Sequence, residues 1–421
     1  MSGDRAGQAD GTGRGGPSRR QLLFGGAVAG IGAVAAIGVD ALTQSDGTDS
    51  NTGARPDEAE EALHGAGTIA FYGVHQSGIE TPPQAHTTLL ALDLRPEVDR
   101  DALRRLMTVL SDDAARLTQG VEALADSEPE LAHVPARLTV TFGFGPELVR
   151  RGSTGTGAAP PTWLRPLPAF TVDRLEEAWS GGDLLVQIGA DDALTVAHAQ
   201  RMLLKDARTF TTVRWVQTGF RRAHGSEKSG TTMRNLFGQV DGTANPAPTT
   251  PDFAELVWIT DGWLAGGTSM VVRRISMDLD RWDRLDRGGR EQSTGRFLAT
   301  GAPLTGTAEH DEPDFAATTA IGFPVIPEFS HLRRARSEDT SQRIVRRGYN
   351  YDDVPTGEQV SSSGLLFVAF QADVDAQYVP LQRRLDELDL LNEWTTPIGS
   401  AVFAIPPGCA EGGFVGDTLL A

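Results

Sequence analysis

The sequence predicts an α+β fold in which two β-α-β-β-α-β units follow one another, each built on an antiparallel sheet. Three observations lead there. Short runs rich in β-branched and aromatic residues, bounded by Gly and Pro, alternate with longer amphipathic stretches. The order of these segments in the first half recurs, more loosely, in the second. The chain's 421 residues also exceed what a single hydrophobic core usually organises.

Residues 68–74 and 87–94 read as strands. A helix is expected from about 97 to 119, because Leu103, Leu106, Leu110, Ala114 and Leu117 recur three or four apart and form one apolar stripe. Residues 138–142 and 184–188 read as strands, 193–206 as a helix and 213–220 as a closing strand. From residue 87 onward this is the ferredoxin-like split order. In the second half, 269–277 reads as a strand and 280–287 opens a helix. Residues 343–349 and 365–371 are strands, 376–388 is helical, and 401–405 closes the unit. An irregular insertion, 301–342, separates its first helix from its second strand. Long insertions of this kind are commonly functional.

Composition narrows the function. Hydrophobic residues make up 39% and charged residues 22%, as in ordinary globular proteins. A net charge of −18 argues against nucleic acid and anionic membranes as partners. Cys409 is the lone cysteine, so no intramolecular disulfide, cysteine metal cluster or thioether-linked haem can form.

The N-terminus reads as an address. Ser18-Arg19-Arg20-Gln21-Leu22-Leu23 is a twin-arginine pattern, and an apolar, glycine-rich run over 22–39 follows it. That run only reaches the lower limit of a bilayer span, so no stable membrane span is expected. The resulting division is a signal segment over 1–41, a disordered acidic spacer over 42–66, and two units over 67–225 and 226–421. The twin-arginine translocase is the implied export partner, and the expected location is extracytoplasmic: secreted, periplasmic or attached to the cell envelope.

Two stretches carry the chemistry. Gly238-Gln239-Val240-Asp241-Gly242 is a tight turn presenting one carboxylate between two glycines. His331 lies in the insertion, with apolar Pro324-Val325-Ile326-Pro327 before it and Arg333 just after, and Arg346-Arg347-Gly348 begins fifteen residues later. Asp-Gly alone is a common turn dipeptide. Flanked by Arg234-Asn235-Leu236-Phe237 and Thr243-Ala244-Asn245-Pro246, however, the turn closely resembles the signature block of the dye-decolorising (DyP-type) haem peroxidases. His331-Leu332-Arg333 resembles the family's His-x-Arg element, although Arg334 stands where the family commonly has an apolar residue. Phe71-Tyr72-Gly73-Val74-His75-Gln76-Ser77-Gly78-Ile79 resembles the hallmark of its exported, A-type members.

The resemblance implies one non-covalent haem b per chain, in a pocket of the C-terminal unit. It implies His331 as the axial ligand of the haem iron, with Arg333 beside a haem propionate and Gly238, Gly242 and Arg347 among the cofactor contacts. Asp241 is implied as the acid–base group and Arg346 as the fixed charge on the opposite face. Asp389 and Asn392 are the candidates to hold the second ring nitrogen of His331. The expected activity uses hydrogen peroxide to oxidise dyes, phenols or other one-electron donors through a ferryl intermediate. The alternatives are an exported haem handler of iron uptake, like the deferrochelatases, and a haem-binding module without turnover. Oligomeric state is not legible.

Overall fold

A computed structural model describes residues 63–155 and 157–421. These residues belong to one compact unit, Ala62–Ala421. The expected signal segment, 1–41, and the spacer as far as residue 62 lie outside the described residues. The last spacer residues are not irregular as expected: His64–Ala66 forms a 3-10 turn, and Ala136 N donates to Gly65 O at 2.8 Å.

The first half runs β1 (His86–Leu94), α1 (Arg100–Thr118), β2 (Thr139–Phe144), α2 (Pro146–Gly152), β3 (Leu184–Ala190), α3 (Ala193–Ala207) and β4 (Thr211–Phe220). Its strands lie side by side as β2-β3-β1-β4, all antiparallel. The second half runs α4 (Pro251–Val257), β5 (Thr268–Met277), α5 (Leu279–Trp282), α6 (Arg287–Thr294), α7 (His331–Ala335), β6 (Val345–Arg346), β7 (Tyr349–Asp353), β8 (Ser362–Gln371), α8 (Val379–Leu388), β9 (Thr395–Ile405) and α9 (Asp417–Leu420). Here the antiparallel order is β9-β5-β8-β7, with short β6 also paired to β8.

The two rows do not remain separate sheets. Phe144 pairs with Ala404 across β2 and β9, and Phe220 pairs with Asn350 across β4 and β7. The strands thereby close into one ring, which leaves few open edges to pair with other chains. Alternation along β1 shows how the ring is filled. Leu90 and Leu92 share a core with Leu103, Leu106 and Leu110 of α1 and Met202 of α3. Leu89 and Ala91 point the other way, into a core shared with Met270, Val272, Phe370 and Phe403 of the second half. Period-two alternation thus separates a helix-covered face from the ring interior.

Four segments depart from expectation. Residues 68–74 form no strand; Gly73 N donates to Cys409 O and Gly408 N to Val74 O as single links. The helix expected at 280–287 breaks after Trp282, and Asp286 caps a new one by accepting from Gly289 N at 2.7 Å. The strand expected at 343–349 is interrupted at Arg347 and Gly348, between β6 and β7. The helix expected from 376 opens as a π-helical turn, Val374–Tyr378, before α8 begins.

Candidate active site

His331 is the first residue of α7, reached through the irregular insertion. Its Nδ1 lies 2.6 Å from Asp389 Oδ2, just past the end of α8. The other oxygen of Asp389 accepts from Leu391 N at 3.0 Å, capping the turn that follows. Asn392, the second candidate partner, donates instead to Leu385 O at 2.8 Å. With Nδ1 held by a carboxylate, the ring presents Nε2 as its free donor atom, the arrangement typical of ligating histidines. The imidazole side chain is 33% exposed.

Burial pushes the His331 pKa down, but the Asp389 carboxylate outweighs it and holds the imidazole above its usual value. The Arg346 guanidinium opposes this rise and the Asp241 carboxylate adds to it. His331 therefore lies within electrostatic reach of both Arg346 and Asp241.

Asp241 sits in the loop between β4 and α4. Gly238 and Gly242 flank it at φ +79° and +125°, backbone conformations that side-chain-bearing residues rarely adopt. A Cβ on Gly238 would meet nothing within 4 Å, whereas one on Gly242 would lie 3.5 Å from the Thr232 side chain. Backbone conformation is thus the requirement common to both glycines. Asp241 Oδ1 accepts from Arg346 Nη1 at 2.9 Å, and the two side chains are 18% and 27% exposed.

Asn245, whose role its sequence did not reveal, fixes the relation between these two residues. Its Nδ2 donates to Arg346 O at 2.7 Å, and its Oδ1 accepts from Arg346 N at 3.0 Å. The side-chain amide thus imitates a neighbouring β-strand and pins the backbone of β6 to the Asp241 loop. Its place in the block that follows Asp241, just before Pro246, was the available hint.

Two expected cofactor contacts make hydrogen bonds within the protein. Arg347, the residue after β6, is 3% exposed. It donates to Thr81 O and, at 2.6 Å, to Gln84 Oε1, clasping the N-terminal half. Arg333 directs Nη1 to Phe315 O and Ile326 O at 3.1 and 3.2 Å, tying α7 to the preceding part of the insertion. A surface depression lined by Asp252, Glu255, Thr340, Ser341, Arg343 and Gln377 includes none of the residues His331, Asp241, Arg346 or Asp389.

The donor set suits haem. It offers an imidazole whose Nδ1 is held by a buried carboxylate, with a carboxylate–guanidinium pair within electrostatic reach.

Comparison with known proteins agrees. Residues 76–221 match the family model described as Dyp-type peroxidase, N-terminal, and residues 232–410 match Dyp-type peroxidase, C-terminal. The chain is 37% identical to a dye-decolorizing peroxidase of Thermobifida fusca, over 97% of this chain and 98% of that one. It is 34% identical to the deferrochelatase of Escherichia coli K12, over 96% and 97%. Among solved structures, a DyP-type peroxidase from Cellulomonas bogoriensis superposes with a TM-score of 0.82 at 55% identity, covering 85% of this chain and 99% of that one. Ferric DtpA from Streptomyces lividans gives 0.81 at 40% identity, covering 86% and 99%.

Proposed function

The chain belongs to the DyP-type peroxidase family, and we propose that His331, Asp241 and Arg346 are the residues through which it works. The observation that carries this reading is the Asp241–Arg346 ion pair within electrostatic reach of a histidine whose Nδ1 is held by Asp389. The protein is a haem peroxidase. His331 Nε2 would bind the haem iron, and bound haem supplies the redox chemistry that splits the peroxide O–O bond.

The protein's own residues handle protons and charge. Asp389 Oδ2 accepts the proton on His331 Nδ1, which gives the ring imidazolate character and strengthens Nε2 as a donor. An Asp241 carboxylate oxygen takes a proton from one peroxide oxygen and returns it to the departing one. Arg346 keeps its charge throughout, stabilises negative charge on the departing oxygen and holds Asp241 Oδ1 in place. Dyes, phenols and similar one-electron donors are the proposed reductants.

Finer points belong to the same proposal. We read the ring as two ferredoxin-like units, 67–225 and 226–421, because each row of strands has the β4-β1-β3-β2 order of that fold. We also read the chain as an A-type member exported by the twin-arginine route, on the strength of Ser18-Arg19-Arg20-Gln21-Leu22-Leu23. Replacing Arg19 and Arg20 with lysine should leave the protein in the cytoplasm; undiminished export would refute that route.

The 34% identity to deferrochelatases favours iron release from haem as a second reading. One experiment separates the two. Purified haem-loaded protein is given hydrogen peroxide and an anthraquinone dye while porphyrin fluorescence is followed. Dye bleaching with haem intact is expected. Metal-free porphyrin without dye turnover would favour iron release.

A further inference from the structure

A carboxylate that no sequence motif marks closes the loop carrying Asp241. Glu309 Oε1 accepts from the Thr232 hydroxyl at 2.6 Å and from the Thr243 hydroxyl at 2.9 Å. These threonines stand at the two ends of the loop: Thr232 enters it, and Thr243 follows Asp241 by two residues. Within the loop, Asp241 N donates to Met233 O at 2.8 Å, and Arg234 forms a bridge with Val240. Glu309 therefore ties the arms together at the end where backbone pairing stops.

Glu309 is itself held firmly. Arg296 Nη1 donates to Glu309 O at 2.9 Å and to Gly301 O at 2.6 Å. Asp311 Oδ2 accepts from Thr307 N at 2.7 Å and from Ala308 N at 2.9 Å, fixing the turn that leads into Glu309. The side chain is 24% exposed, and exposed His310 places Nε2 3.9 Å from the same oxygen. Burial lowers the Arg296 pKa, the Glu309 charge opposes that shift, and the Arg346 charge adds to it. Arg296 thus senses both Glu309 and the arginine paired with Asp241.

We propose that Glu309 is a positioning residue for the peroxide step. By accepting from Thr232 and Thr243 it keeps the loop closed, so that the Asp241 carboxylate stays seated on the Arg346 guanidinium. The proposal rests on the reading of Asp241 as the proton-handling group. Because both hydroxyls meet one oxygen, the loop needs an acceptor at that point more than it needs a charge. Glutamine supplies such an acceptor; alanine leaves both hydroxyls without one and lets the arms spread. Small displacements of a catalytic group have large kinetic effects.

The test compares haem-loaded wild type, Glu309→Ala, Glu309→Gln and Asp241→Ala by rapid mixing with hydrogen peroxide, with haem content and amide exchange over residues 233–242 measured alongside. Glu309→Ala should react about tenfold more slowly at unchanged haem content, with faster exchange in that segment. Glu309→Gln should restore both to within about twofold. A wild-type rate in Glu309→Ala, or a loss that glutamine fails to restore, overturns the proposal. If Glu309→Ala does not take up haem, Thr232→Val and Thr243→Val decide instead. Each removes one donor and should slow the reaction about threefold, and wild-type rates in both would overturn the proposal. Asp241→Ala separates the two layers: if it reacts at wild-type speed, the reading of Asp241 falls. If it is slow while Glu309→Ala is not, only the role of Glu309 falls.

Discussion

Adjacent arginines with opposite fates show how much one residue of register decides. Arg346 turns toward Asp241, while Arg347 turns away and bonds Thr81 and Gln84 of the N-terminal half. The strand β6 ends at Arg346, and the next side chain is taken up by the N-terminal half. Replacing Arg346 with leucine should slow the reaction with peroxide while changing the melting temperature little. Arg347→Leu should do the reverse, because it strips a partner from buried Gln84 and costs roughly 1–3 kcal/mol of stability. Peroxide rate constants and thermal melts of the two variants check this, and a larger kinetic loss at Arg347 would contradict the assignment. Asp241, His331 and Arg346 drew attention in the sequence because each stands in a distinctive block, and the fold brings Asp241 onto Arg346. The roles of Asn245 and Glu309 were not legible, since their partners, Arg346 O and the hydroxyls of Thr232 and Thr243, are brought together only by folding. The bonds of Arg333 were hidden for a related reason. It stands two residues after His331 in sequence, but its Nη1 bonds the carbonyls of Phe315 and Ile326.

Elements read well where periodicity was strong and poorly where a cap or a tertiary partner overruled it. The α1 stripe was visible because its leucines repeat at helical spacing and all of them are buried. The break between α5 and α6 follows from Asp286, whose side chain caps a fresh helix at a point where apolar spacing gives no warning. The packing of α1 on α3 carries a second consequence. Burial, reinforced by the neighbouring Asp113, pushes the Asp206 carboxyl of α3 up to about 8. Asp113 is itself buried and accepts from Leu124 N at 2.7 Å. A raised folded-state pKa means that the folded protein keeps a proton the unfolded chain has already released. The resulting stabilisation is complete below the ordinary carboxylate range and fades as pH rises toward about 8. Asp206→Asn should remove this dependence. The stability advantage of wild type over the variant should shrink between about pH 5 and about pH 9, as followed by thermal melts. A constant difference would show that the pair does not share a proton.

At the scale of the whole molecule, closing the strands into a ring is what the sequence could not reveal. Each row of four strands follows local order, but Phe144–Ala404 and Phe220–Asn350 join residues far apart in the chain. The same long-range closure helps to position the site. Asn350 pairs with Phe220 and also donates from its side chain to Arg234 O at 3.1 Å, so the seam between halves reaches the Asp241 loop. His331 comes from the insertion and its carboxylate partner from beyond α8, so the pocket depends on the second half being assembled as a unit. The central claim is that this assembled space breaks peroxide with Asp241 moving the proton. Stopped-flow mixing of hydrogen peroxide with haem-loaded wild type and Asp241→Ala tests it most directly. The variant should keep its haem yet react roughly 10²–10⁴-fold more slowly, the range for a positioned acid–base group. Equal rate constants for the two proteins would contradict the account.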